Sequence, residues 1–173
     1  MVQTISEAAG VGNEQTISSR AGDEAIDVHV AARRDRLPIV RSLLDHALLL
    51  ADWPIDDIAD LKLAVDEVCG QLIEAASGDR LRVSVRDASP EAVVAVSARV
   101  PAEFRLDRSG VGWHVVESVT DARQLTYGDD DEFDRELVVE LAKRPTPVLP
   151  VPGPPGGSPA GPRPTRPGWR FRR

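Results

Sequence analysis

The chain has 173 residues, of which 42% are hydrophobic, 28% charged and only 4% aromatic. That composition fits one globular domain with appendages, its core filled by Leu, Val, Ile and Ala. No run approaches the roughly 18 apolar residues of a membrane span, the N-terminal "MVQTISEAAG" lacks the apolar stretch of a secretory signal, and the single Cys69 excludes an internal disulfide, as suits a reducing cytoplasm.

The net charge of −7 conceals two halves. Residues 1–142 carry net −14, whereas residues 143–173 carry net +7 and no acid. An acidic body points away from DNA as a direct ligand and towards a basic protein surface. Residues 1–23 are polar and aperiodic and are expected to be disordered. Residues 143–173 hold ten of the fourteen prolines, so a second disordered segment is expected there. Its "RPGWRFRR" end places Trp169 and Phe171 among arginines, a mixture that touches acidic partners or simply stays solvated. The folded domain is thereby predicted over residues 24–142.

Within that domain "AIDVHVAA" alternates Ile26, Val28 and Val30 as a strand does. "LPIVRSLLDHALLLAD" sets Ile39, Val40, Leu43, Leu44, Ala47 and Leu48 at helical spacing, with Pro38 near the start. "WPIDD" interrupts, and Asp56 and Asp57 suit the N-terminus of a second helix. That helix carries Ile58, Leu61, Val65, Val68, Leu72 and Ala76 on one stripe, and Gly78 is expected to end it. "RLRVSVRD" and "EAVVAVSAR" read as a hairpin. "PAEFRLDRSG" is a loop, "VGWHVVESVTDA" a short helix, and "RQLTYG" and "EFDRELVVELAKR" two more strands. The order predicts an α+β fold with helices on one face of a mixed, mostly antiparallel sheet.

Two features carry chemistry. Glu67 and Gln71 are four residues apart and share one helical face. A carboxylate there can take a proton and an amide can hold a cation, although the spacing equally fits a solvated flank. Gly110 and Gly112 precede the third helix, where backbone N–H groups can meet a phosphate or simply form a turn. His29, His46 and His114 are dispersed, with no metal-ligand spacing.

Together "LKLAVDEVCGQLIEAA", "LPIVRSLL" and "SGVGWHVVESVTDA" resemble the GHKL ATPase superfamily, in particular the RsbW/SpoIIAB-type anti-sigma factors, which are serine-protein kinases. Lys62, Ala64, Val65, Glu67 and Cys69 fall in register with the N-box helix of that family, and the likeness spans about residues 25–142. It is greatest to the mycobacterial branch that restrains sigma-F-type factors. The resemblance implies a Bergerat-type two-layer sandwich, with ATP and Mg2+ as cofactors. It implies Glu67 as general base on a substrate serine, Gln71 in place of the magnesium-holding asparagine, and Gly110 and Gly112 as the second glycine box. It also implies Arg41 as a contact for partner proteins, whereas within its own helix Arg41 has Asp45 at i+4.

Two departures stand beside it. Gln71 is one methylene longer than asparagine, and magnesium is strict about geometry. The first glycine box, whose aspartate holds adenine, is missing: Ser97 or Ala98 stands where the aspartate belongs, and Asp107 comes about ten residues too late. The expected function is therefore an anti-sigma factor that sequesters a sigma factor and is released by an anti-anti-sigma (STAS-domain) protein. The alternative is an active kinase that phosphorylates that antagonist. The resemblance also implies homodimers formed through the sheet.

Overall fold

The computed structural model describes residues 3–6, 25–88, 90–128 and 133–147. Nine elements follow in chain order: β1 (Gln3–Ser6), β2 (Ile26–Ala31), α1 (Leu37–Leu50), α2 (Ile55–Ala75), β3 (Arg80–Ala88), β4 (Glu91–Pro101), α3 (Val111–Val119), β5 (Ala122–Tyr127) and β6 (Asp134–Lys143). A 3-10 turn at Arg34–Arg36 leads into α1. The strands form one sheet in the order β1-β5-β6-β4-β3-β2.

Every pairing in the sheet is antiparallel. The α+β class holds, but among the described residues the sheet is not mixed. The connections explain this: β3 turns straight into β4, and α3 returns the chain to the edge of β6 rather than crossing over to a parallel neighbour. A second correction concerns residues 1–23. Gln3–Ser6 pair with Gln124–Tyr127 as an edge strand. Four residues are too few to show alternation, so the strand exists through its partner's free edge and not through its own pattern. The remainder of that N-terminal segment, like the tail beyond Pro147 with Trp169 and Phe171, lies outside the described residues.

The helices cover one face of the sheet. Val40, Leu44 and Leu48 of α1, and Leu61, Val65, Val68 and Leu72 of α2, are fully buried. They meet alternate residues of the central strands: Leu81, Val83 and Val85 of β3, Val94, Val96 and Val100 of β4, and Leu137, Val139 and Leu141 of β6. Each such side chain contributes about 1.5–3 kcal/mol by leaving water. Ile39, expected on the apolar stripe, is 45% exposed; the stripe of α1 follows 37, 40, 44 and 48, and Ile39 falls to its outer side.

Local chemistry fixes the helix ends. α1 stops in a Schellman turn: Asp52 N–H donates to Leu49 O at 3.1 Å and Trp53 N–H to Leu48 O at 3.0 Å. Asp52 takes the left-handed conformation there, with φ at 57°, a position that short polar side chains tolerate. Trp53, just beyond, is buried. α2 ends at Ala75, three residues before Gly78, without a left-handed cap. Ser77 N–H instead donates to Arg99 O at 3.0 Å, so pairing with β4 takes over where the helix was expected to continue.

The predicted boundary at residue 142 is also too early. Lys143 belongs to β6, and the residues after it are tied down. Arg144 N–H donates to Asp121 Oδ2 at 2.7 Å, and Thr146 donates through its N–H and its hydroxyl to Asp57, at 2.7 and 2.8 Å. The chain is thus strapped across the first turn of α2 as far as Thr146.

Candidate functional site

α2 carries two functional rows on its outward side. Asp66 and Glu67 are adjacent in sequence, so their side chains leave the helix about 100° apart. Asp66 turns to α1, where Arg41 Nε donates to its two oxygens at 3.1 and 2.8 Å. One turn away, Lys62 Nζ donates to Asp45 at 2.7 Å. Asp45 is therefore not the partner of Arg41; the packing of α1 on α2 gives each residue an opposite charge across the helix pair.

Glu67 turns to α3 instead. A Cβ at Gly112 would lie 2.2 Å from Glu67 Cδ, so the glycine is needed for this close approach. Gln71, one turn on, donates through Nε2 to Glu67 Oε1 at 3.2 Å. The structure thus brings Glu67, Gln71 and Gly112 together. Arg41 is one helical row away on the far side of Asp66. Gly112→Ala is expected to leave stability within about 1 kcal/mol of wild type, because the clash falls on the free end of a flexible side chain and alanine favours the helix. Its visible effect is a displaced Glu67 side chain, read as altered side-chain chemical shifts of Glu67 by NMR.

The residues opposite α2 complete a cleft of about 450 Å3 lined by Glu67, Gln71, Glu74, Ala75, Phe104, Arg105 and Asp107. The loop between β4 and α3 forms its outer wall and is held from three sides. Asp107 N–H donates to Gln71 Oε1 at 2.9 Å, and Gln71 Nε2 donates to Asp107 O at 3.1 Å. Arg135 Nη2 donates to Phe104 O at 2.7 Å, with its guanidinium 4.1 Å from the Tyr127 ring centroid. Leu106 is buried beneath the loop. Arg105 is turned to the carbonyls of Ala102 and Phe104.

Asp107 has a second task. Its carboxylate accepts the Ser109 N–H at 2.9 Å and the Ser109 hydroxyl at 2.8 Å. These bonds, with a further one from the Gly110 N–H, hold the carboxyl below its usual range. Gly110 stands just ahead of α3, and the chain's own Asp107 carboxylate lies against it. Sequence reasoning set Asp107 aside as too late for adenine. The signal that could have found it is the spacing Asp-x-Ser-Gly before a helix, an Asx-turn.

The Gln71 oxygen that would face a magnesium ion accepts the Asp107 N–H. The Gly112 backbone lies against the Glu67 carboxylate, which repels phosphate. Ala98, on the helix-facing side of β4, offers only a methyl group, and Ser97 alternates to the opposite face. The residues present do not fit Mg-ATP.

No family model matches the chain. Over 120 residues, 69% of this chain and 71% of the relative, it is 35% identical to the anti-sigma-F factor RsbW of Mycobacterium tuberculosis, in both the CDC 1551 and the H37Rv strains. The chain belongs to the RsbW family of anti-sigma factors. Among solved structures, this RsbW-family chain resembles the RsbU and RsbW domains of a Mycobacterium tuberculosis protein, with a TM-score of 0.57 and 19% identity over 77% of this chain and 36% of that one. It also resembles the SiaB–SiaC complex from Pseudomonas aeruginosa, with a TM-score of 0.57 and 10% identity over 68% of this chain and 89% of that one. At those identities the likeness is one of fold, and it agrees with the two-layer GHKL-like arrangement. No helix among the described residues is long and apolar enough to cross a membrane.

Proposed function

We propose that this protein is a cytoplasmic anti-sigma factor: it sequesters a sigma-F-type sigma factor and is released by an anti-anti-sigma protein. The observation that carries this reading is the 35% identity to anti-sigma-F factors over 120 residues. Capture of a protein needs surface and charge, not a nucleotide pocket. The acidic domain attracts a basic partner, and the resulting steering weakens as salt rises. A homodimer through the sheet face opposite the helices, where Ser97 and Val138 stand in register, belongs to the same reading.

The test uses the full chain and a sigma-F-type factor from the same genome. A stable complex on size exclusion, inhibition of transcription from that sigma factor's promoter, and reversal by a STAS-domain protein are expected. Failure to capture any sigma factor of that type would overturn the reading. The kinase alternative keeps one favourable residue, Glu67, which stands half-buried at the cleft. Transfer of labelled phosphate to the STAS protein, abolished by Glu67→Gln, would establish it in place of release by competition alone.

A further inference from the structure

The implied nucleotide and the observed cleft disagree, and the disagreement has one centre. We infer that Asp107 is a built-in plug: its backbone occupies the amide that would hold the metal, its carboxylate occupies the donors ahead of α3 that would hold phosphate, and the cleft therefore does not take Mg-nucleotide.

Three observations converge on it. The Gln71 amide is satisfied at both ends by the backbone of one residue: Oε1 accepts the Asp107 N–H and Nε2 donates to the Asp107 carbonyl. An amide of that length reaches the loop, and no metal is required to orient it. The two donors of Ser109 are taken by an anion that is covalently part of the loop and lies against Gly110, so an incoming phosphate must displace a carboxylate whose local concentration is fixed by the chain. Finally, the carboxylates of Glu67, Glu74 and Asp107 line the cleft. Arg34, from the turn before α1, reaches Glu74, and Arg105 is engaged with carbonyls. A triphosphate would bring its negative charge into that surrounding. Gln71 is thus a positioning residue for the loop rather than a ligand of a metal.

The inference stands on the cleft alone, so failed sigma capture would leave it untouched. Its test has two readouts on the full chain. Calorimetry with Mg-ATP should show no saturable heat up to millimolar nucleotide. Amide hydrogen exchange at Asp107 should accelerate at least about tenfold in Gln71→Met, which keeps the side chain's bulk but removes both bonds, and similarly in Gln71→Ala. Exchange at Val65 and Val68, within α2, should stay unchanged and report that the domain is folded. Micromolar, magnesium-dependent binding to the wild-type chain would overturn the plug. So would unaltered exchange at Asp107 in both variants.

Discussion

Asp57→Ala is expected to cost about 3 kcal/mol of folding stability, measured by urea denaturation. Asp57 sits in the first turn of α2 and is only 2% exposed. Its carboxylate accepts two hydrogen bonds from Thr146 and lies 3.4 Å from Lys143 Nζ. Lys143, itself buried, also donates to Asp60 and to Val119 O. Removing the carboxylate strands the Thr146 donors and leaves Lys143 with one counter-ion. Asp57→Asn keeps an acceptor and is expected to cost about half as much. A loss below about 1 kcal/mol for alanine would show that the strap does not form in solution.

The pH dependence has a definite sign. Burial pushes the Asp57 carboxyl up, but the Thr146 bonds and Lys143 outweigh it, and the folded value lies below the ordinary one. The stabilisation is therefore fully present above about pH 4, the unfolded range, and is lost as the pH falls through the lower folded value. The stability gap between wild type and Asp57→Asn should be flat near neutrality and narrow in acid. The same contacts set where the chain can be shortened. Ending it after Lys143 removes Thr146 and should cost about 2 kcal/mol.

Elements whose pattern is intrinsic were legible in the sequence. The stripes of α1 and α2 and the alternation in β3, β4 and β6 announce themselves, because a helix or strand buried on one face must repeat at its own period. What depended on a distant partner was not legible. β1 exists because β5 offers an edge. Ile39 is exposed because the stripe of α1 passes beside it. The strap at Thr146 requires a carboxylate 89 residues earlier. In the cleft, the Glu67–Gln71 spacing could be read directly, and family register gave it meaning. The backbone of Asp107, 36 residues from Gln71, could not, since nothing along α2 records which loop returns to it. Arg41 shows the same limit: Asp45 is the nearer choice in sequence, but the packing of the two helices assigns it to Lys62 and gives Arg41 to Asp66.

That pairing leads to the second large effect. Arg41→Glu is expected to weaken sigma-factor capture at least 30-fold, or about 2 kcal/mol, while changing folding stability by no more than about 1 kcal/mol. The guanidinium is half-exposed and held through Nε by Asp66. Among the described residues its two terminal nitrogens have no partner, and they form the fork that fits a carboxylate on another protein. Asp66 keeps the side chain in place, so less rotamer freedom is lost on binding. Glutamate at this position would face Asp66 with like charge and meet an acidic partner group with repulsion. Asp66→Ala separates the two contributions: it keeps the cation and frees it, so capture should fall only about 3–10-fold, the worth of ordering one long side chain. Titrations by surface plasmon resonance, with urea curves on the same samples, distinguish lost contact from lost fold. Unchanged affinity in Arg41→Glu would place the interface elsewhere, and equal losses in the two variants would mean that Asp66, not Arg41, meets the partner.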